Sequence, residues 1–171
     1  MALTVRKLEP GDDRSRFRSG NADLDRFFAL DAGQNQFRHH IGTSYVAIDD
    51  AGAVAGYGTV AASELAPDTM APSRRKRLPR YPLPVLRLAR LAVAETARGQ
   101  GVGGLLLRYV LQLAARLAAD VGCVGVVVDA KPEAVAFYQR LGFVPLGLVA
   151  GELGDRPAPL PMFLELPAPA T

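Results

Sequence analysis

Apolar residues recur at helical spacing in three stretches of the chain. After Asn21, which can cap a helix, the spacing predicts a first helix that carries Leu24, Phe27 and Phe28. A longer amphipathic helix follows residue 101, where apolar positions recur on one helical face at Val102, Leu105, Leu106, Tyr109, Val110, Leu113 and Leu117. Pro132 suits the first turn of a third helix, and Gly142 suits its end.

Shorter apolar runs bounded by turn-forming residues predict strands. They cover residues 3–8, 43–48, 54–61, 85–93, 123–128, 143–149 and 162–166, with a hairpin turn at 49–52. Residues 67–84 read as an irregular excursion that contains a short helix around 73–78. The element order is therefore β, α, β, β, excursion, β, α, β, α, β, β. This order predicts an α/β fold, with a mixed sheet and helices on both faces.

Length and composition fit one ordinary globular domain. The chain has 171 residues, of which 49% are hydrophobic and 22% charged. We expect a single domain over residues 1–166 and a loose Pro/Ala-rich tail over 167–171. Cys123 is the one cysteine in the sequence, which excludes an intramolecular disulfide and a four-cysteine zinc site. No signal peptide and no run of about 18 apolar residues is evident, so a cytoplasmic protein without a membrane partner is expected.

Positive charge is concentrated in one part of the chain. The net charge is only +3, but no Asp or Glu occurs from residue 69 to residue 94. That window holds Arg74, Arg75, Lys76, Arg77, Arg80, Arg87 and Arg90. Such a run either attracts an anionic partner or is simply a solvated face.

The sequence RGQGVGG at residues 98–104 is the main candidate for chemistry. It lacks the lysine and hydroxyl of a Walker A loop. It fits the dinucleotide pattern G-x-G-x-x-G from Gly99 to Gly104, and Asp129 could serve as the following acid. The loop lies five residues after its predicted strand and late in the chain, which argues against that ligand. An anion cradle at a helix N-terminus and a plain flexible turn remain.

Two motifs in this order resemble the GNAT acetyltransferase superfamily. Arg98, Gly101 and Gly103 match R/Q-x-x-G-x-G/A, and residues 137–143, FYQRLGF, match F-Y-x-x-x-G-F. The resemblance implies a mostly antiparallel sheet of about six to seven strands, splayed where acetyl-CoA binds. It also implies a diphosphate contact at the loop and a pantetheine contact at the preceding strand. By position these cofactor residues are Leu91, Ala92, Val93, Arg98, Gly99, Gln100, Gly101, Val102, Gly103 and Gly104.

Tyr138 is the catalytic candidate that this resemblance implies. The matching tyrosine of the family lies beside the CoA sulfur and can protonate the leaving thiolate. A neutral phenol is a plausible acid for a thiol whose pKa is about 8.5. The alternative is a core tyrosine, and Phe137 and Phe143 are expected to be packing residues. Glu95 is a candidate base and equally an exposed loop acid.

The N-terminal half resembles one branch of the superfamily, the toxins of bacterial type II toxin–antitoxin pairs. The similarity lies in residues 17–28 (FRSGNADLDRFF), 42–48 (GTSYVAI) and 78–84 (LPRYPLP). It implies acetylation of the α-amine of aminoacyl-tRNA, which blocks translation, and it implies a ribbon-helix-helix antitoxin and a homodimer. An α-amine has a pKa of about 7.7–8.0, so a strong base is unnecessary. The predicted tRNA contacts are Arg77, Arg80, Arg87, Arg90 and Arg38.

Other functions stay open at this point. The chain is alternatively a GNAT enzyme acting on a small amine, an antibiotic or a protein N-terminus, or a non-catalytic acetyl-CoA sensor. No metal site is expected, because His39 and His40 point apart and lack further ligands. Asn or Asp is common in relatives near Lys131, so a cofactor contact there is in doubt.

Overall fold

The computed structural model describes residues 2–70, 78–147 and 159–167. The strands in this part of the chain are β1 Thr4–Lys7, β2 Thr43–Ile48, β3 Val54–Leu65, β4 Leu83–Val93, β5 Gly125–Ala130, β6 Val144–Pro145 and β7 Leu160–Glu165. They form one sheet in the order β1-β2-β3-β4-β5-β7-β6. The pairs β1–β2, β2–β3, β5–β7 and β6–β7 are antiparallel. The predicted mixed sheet of about six to seven strands is confirmed.

The predicted strands match the observed ones unevenly. β2 begins and ends where predicted, whereas β3 continues to Leu65 instead of ending at residue 61. The prediction 123–128 for β5 was two residues early, since the strand is Gly125–Ala130. The helix predicted around 73–78 lies almost wholly outside the described residues, as do residues 148 and 149 of the predicted sixth strand and most of the predicted tail.

The α-helices are α1 Ala22–Arg26, α2 Val102–Asp120 and α3 Val135–Arg140. The chain continues from α1 through two π-helical turns, Phe27–Asp31 and Gln34–His39, and residues 22–39 are called the helical segment below. A 3₁₀ turn at Pro132–Ala134 precedes α3. By length and composition alone, α2 is apolar enough to cross a membrane, a property that it shares with core helices.

Asn21 starts the helical segment as the sequence predicts. Its side-chain carbonyl accepts hydrogen bonds from the N–H groups of Asp23 at 3.0 Å and Leu24 at 3.1 Å. Two of the N–H groups that a helix leaves without an acceptor are satisfied in this way. The cap therefore fixes where the segment begins.

The chain divides into two compact units. The first comprises Met1–Ala61 and Leu88–Gln112. Its core contains an aromatic cluster in which the rings of Phe28 and Tyr57 stack at 4.3 Å and Phe17 meets both edge-on. The Tyr57 hydroxyl donates to the carbonyl of Leu24 at 2.6 Å. Burial raises the pKa of Tyr57, so its hydroxyl stays a donor. This cluster anchors the helical segment to β3.

The second unit comprises Ala62–Arg87 and Leu113–Thr171. Its buried cluster is formed by Leu65, Met70, Leu83, Val85, Val127, Leu146 and Phe163. β5 is buried almost throughout and pairs with β7 from Gly125 opposite Glu165 to Ala130 opposite Leu160. The apolar run at its centre explains why the sequence identified this strand as a buried one.

Candidate active site

The glycine-rich loop connects β4 to α2. After Val93 the chain makes a 3₁₀ turn over Glu95–Ala97, and the glycines follow. Gly99 and Gly101 have φ angles of 78° and 79°, which glycine adopts without steric penalty. Apart from chain neighbours, nothing in the described residues lies within 4 Å of the position that a Cβ would take at either glycine. The backbone of the loop therefore faces open space.

The first turn of α2 offers backbone donors beside this open space. The first bond of the helical ladder runs from the N–H of Leu105 to the carbonyl of Gly101 at 3.0 Å. The N–H groups of Val102, Gly103 and Gly104 precede that bond, so the helix itself provides no acceptor for them. The helix dipole adds partial positive charge at the same end. The loop and helix terminus together can bind an anion such as a diphosphate.

Arg98 and Glu95 flank the loop on its strand side, and both are exposed. The Arg98 guanidinium donates from Nη2 to the carbonyl of Ser19 at 2.5 Å. The backbone N–H of Glu95 donates to the carbonyl of Arg18 at 2.9 Å. Arg98 therefore has a partner within the protein, which the sequence does not indicate. The role of Glu95 as a base stays a prediction.

The predicted pantetheine strand is the last part of β4. Ala92 is buried, whereas Leu91 and Val93 are half-buried. A Cβ at Gly56 on β3 would lie 2.9 Å from the carbonyl oxygen of Ala92, so this neighbour must be glycine. The backbone of β4 is thus closely packed on one side at Ala92. A pantetheine contact here, and the predicted splay of the sheet, stay predictions.

Tyr138 lies in α3 and is buried. Its ring meets those of Phe137 and Phe143 edge-on, with centroids 5.2 Å and 5.4 Å away, as expected for packing residues. Its hydroxyl makes no hydrogen bond with any residue that the structure describes. Burial raises the pKa of Tyr138 to about 12. The phenol is therefore neutral at physiological pH and can donate a proton.

Of the predicted tRNA contacts in the second unit, Arg80 is exposed and Arg87 is not free. Arg87 donates from Nη1 to the carboxylate of Asp129 at 2.7 Å, and its Nε lies 3.5 Å from the hydroxyl of Ser63. The carboxylate compensates much of the positive charge of Arg87. Arg77 lies outside the described residues.

In the first unit, Arg90 and Arg38 have different surroundings. The Arg90 guanidinium lies 3.7 Å from the ring centroid of Phe27, which is a cation–π contact. This contact holds the side chain in place without neutralising its charge. Arg38 is exposed at the end of the helical segment, and its neighbours from Phe37 to Ile41 are exposed as well. Sequence reasoning missed the Arg90–Phe27 contact, because helical spacing places Phe27 on the first helix but does not show which residue of a distant strand it meets.

The first unit also contains an open cleft of about 640 Å³ that the sequence does not predict. It is lined by the 12–18 turn, the β2–β3 hairpin and the 3₁₀ turn at Glu95. Its charged side chains have both signs, with Asp13 and Glu95 near Arg16 and Arg18. Among the described residues, no group of His, Cys, Asp and Glu is arranged to hold a metal ion.

Comparison with known proteins agrees with this geometry. A family model described as an acetyltransferase (GNAT) domain matches residues 40–145. The tRNA-acetylating toxin of Mycobacterium tuberculosis (strain ATCC 25618 / H37Rv) is 34% identical over 141 residues, which cover 81% of this chain and 82% of the toxin.

Solved structures give a consistent picture. The structure of AtaT complexed with acetyl-methionyl-tRNAfMet has a TM-score of 0.82 at 26% identity, covering 96% of this chain and 95% of that chain. A tyrosine-to-phenylalanine mutant of AtaT, bound to the C-terminus of the antitoxin AtaR and acetyl-CoA, has a TM-score of 0.75 at 25% identity, covering 95% and 92%. The chain therefore belongs to the GNAT acetyltransferase family.

Proposed function

We propose that the protein transfers an acetyl group from acetyl-CoA to the α-amine of aminoacyl-tRNA and acts as the toxin of a type II toxin–antitoxin pair. The main support is the match to a tRNA-acetylating toxin over 81% of the chain, together with the open glycine loop at the start of α2. An N-acetylated aminoacyl-tRNA has no free amine for peptide elongation, so translation stops.

The donor is held mainly by backbone groups. Residues 99–104 provide N–H groups for the diphosphate. Gly99 and Gly101 have no side chain, so the ligand can approach the backbone closely, and glycine adopts their positive φ angles without penalty. Residues 91–93 of β4 present peptide groups to the amides of the pantetheine arm, in the manner of an added strand. Arg98 lies at the start of the loop and belongs to the same predicted set of cofactor residues. No metal takes part.

Transfer requires one nucleophile and one proton donor. The neutral α-amine attacks the thioester carbonyl and loses its proton to solvent, and the C–S bond then breaks. Tyr138 donates its phenolic proton to the departing sulfur and recovers a proton from solvent. Since an α-amine has a pKa of about 7.7–8.0, a sizeable fraction is neutral near pH 7.5 without a dedicated base.

The tRNA is held by arginines. Arg80 and Arg38 are exposed, and Arg90 keeps its charge while it lies over Phe27. Phosphate contacts of this kind supply much of the affinity for nucleic acid. Arg87 contributes less, because Asp129 pairs with it. Arg77 belongs to the same predicted set.

We further propose that the protein is cytoplasmic, forms a homodimer and is neutralised by a ribbon-helix-helix antitoxin. A relative in complex with the C-terminus of an antitoxin supports a protein partner. The target of the enzyme, aminoacyl-tRNA, is a cytoplasmic molecule.

The direct test incubates the purified chain with labelled acetyl-CoA and a pool of aminoacyl-tRNAs, with uncharged tRNA as the control. Label should appear on the amino acid of charged tRNA alone, and cell-free translation should stop. Label transferred only to small amines or protein N-termini would favour the alternative acetyltransferase. Acetyl-CoA binding without any transfer would favour a sensor.

A further inference from the structure

Two hydrogen bonds tie the start of the glycine loop to the N-terminal turn. The N–H of Glu95 donates to the carbonyl of Arg18 at 2.9 Å, and Nη2 of Arg98 donates to the carbonyl of Ser19 at 2.5 Å. We call residues 18–20 together with Glu95 and Arg98 the clasp. A guanidinium–carbonyl bond of this length is a charge-assisted one, so it is among the stronger contacts of the loop.

The acceptor side of the clasp is rigid. The N–H of Ser19 donates to both carboxylate oxygens of Asp25, at 3.0 and 3.1 Å, and its hydroxyl donates to Oδ1 at 2.6 Å. Asn21 caps the same helical turn. Ser19 itself is buried, so its carbonyl has a fixed direction and depends on protein donors. Withdrawal of the Arg98 guanidinium would leave this carbonyl poorly satisfied.

Gly20 leaves room for the side chains of Arg98 and Glu95 within the clasp. Its φ angle is 90°, and a Cβ there would lie 2.7 Å from Nη2 of Arg98 and 2.9 Å from Oε1 of Glu95. Any side chain at this position would displace both groups. The two distances also show that the Glu95 carboxylate and the Arg98 guanidinium approach the same point. Since opposite charges offset one another, the nearby carboxylate reduces the positive potential that Arg98 presents to a phosphate.

We propose that Arg98 supports acetyl-CoA binding as a positioning residue, through Ser19, and that it does not contact the diphosphate. The bond to a rigid buried carbonyl fixes the start of the loop, so that the backbone N–H groups of residues 99–104 converge on the ligand. This proposal rests on the proposed function, in which that loop holds the donor.

A double-mutant cycle tests the clasp. Acetyl-CoA affinity is measured by calorimetry for the wild type, Arg98→Ala, Gly20→Ala and the double mutant, with thermal melts to verify folding. Each single substitution should weaken binding about tenfold, the loss expected when one charge-assisted bond is broken. The double mutant should bind acetyl-CoA about as well as whichever single mutant has the lower affinity, because both substitutions break the same contact. Additive losses would overturn the proposal.

Gly52→Ala is the matched control. Gly52 has a φ angle of 82°, close to that of Gly20, but nothing in the described residues lies within 4 Å of its Cβ position. Gly52→Ala therefore introduces the same backbone strain as Gly20→Ala, but its Cβ meets no neighbouring atom in the described part of the chain. This variant should bind acetyl-CoA like the wild type. A loss equal to that of Gly20→Ala would mean that general strain, and not the clasp, is responsible.

Salt dependence gives a second readout that does not depend on Gly20. If Arg98 does not face the diphosphate, Arg98→Ala should weaken binding by the same factor at low and high salt. A loss that disappears at high salt would identify a direct phosphate contact and overturn the proposal. Gly101→Val tests the donor site separately: unchanged affinity in that variant would refute the loop as the donor site, and the clasp with it.

Discussion

The ring of Tyr138 is packed, but its hydroxyl has no hydrogen-bond partner among the residues that the structure describes. Tyr138→Phe keeps the contacts with Phe137 and Phe143, so acetyl-CoA affinity and the melting temperature should stay close to those of the wild type. The loss of the proton donor should lower kcat by about 100-fold or more. Steady-state kinetics and a thermal melt measure both effects.

Tyr57→Phe is the control for this substitution. It removes a buried hydroxyl that donates to Leu24, so it should reduce the free energy of unfolding by about 1 kcal/mol and leave kcat unchanged. If Tyr138→Phe behaved like Tyr57→Phe, losing stability and keeping full kcat, the general-acid role would be refuted.

The raised pKa of Tyr138 determines the pH profile. Because burial raises this pKa to about 12, the neutral phenol is stabilised in the folded state, and ionisation begins to cost stability only as pH rises above 10.0. Between about pH 6 and pH 9 the proton donor is therefore always available, while the acceptor amine titrates at about 7.7–8.0. We expect kcat/KM to rise through that range and reach a plateau. A falling limb below pH 9 would show that a different acid takes part.

The helical segment depends on its cap more than on its own length. α1 contains only five residues before the π-helical turns begin, so Asn21 satisfies a large share of its free N–H groups. Asn21→Ala should reduce the free energy of unfolding by about 1 kcal/mol, whereas Asn21→Asp, which keeps an acceptor oxygen, should cost far less. Chemical denaturation of the two variants makes the comparison. Equal losses would show that the cap contributes little.

The sequence predicted the start of this segment but not its π-helical turns. The Asn21 signal and the apolar spacing are local, and both are confirmed. Distant side chains bond to the backbone in and just before the first π-helical turn: Tyr57 donates to the carbonyl of Leu24 in α1, and Arg14 donates to that of Phe28 at 3.3 Å. Hydrophobic periodicity contains no information about such partners, so the prediction ended at an ordinary helix.

The strand β5 shows the same limit. The apolar run from Cys123 marked its buried part, but the strand continues through Asp129, which a hydropathy pattern reads as a boundary. Asp129 is exposed at this position of the strand, and its carboxylate pairs with Arg87 on β4 at 2.7 Å. The glycine loop, by contrast, was predictable, because the φ angles of 78° and 79° at Gly99 and Gly101 strongly favour glycine, and the motif places glycine at both positions.

At the scale of the whole molecule, the positive charge available to a partner depends on where each arginine lies and on whether an acid pairs with it. Residues 69–94 contain no acid, yet their arginines differ in the structure: Arg80 is exposed, Arg87 is paired, and Arg90 lies over a ring. The sequence predicted the basic window and could not rank its members, because the neutralising partner Asp129 is 42 residues away from Arg87. The contribution of each arginine to tRNA affinity should therefore depend on whether an acidic side chain neutralises its charge.

The salt dependence of tRNA binding tests this ranking. Each arginine that neutralises one phosphate contributes about 0.7–0.9 to the slope of log K against log salt. Arg80→Ala and Arg90→Ala should each reduce the slope by about this amount, whereas Arg87→Ala should reduce it much less, since its charge is already compensated by Asp129. Arg116→Ala, at an exposed position of α2 outside the predicted set, should leave the slope unchanged. Fluorescence titrations at several salt concentrations measure all four variants. An equal effect of Arg116→Ala would show that the tRNA responds to net charge alone, and an unchanged slope in Arg80→Ala and Arg90→Ala would place the tRNA on another surface.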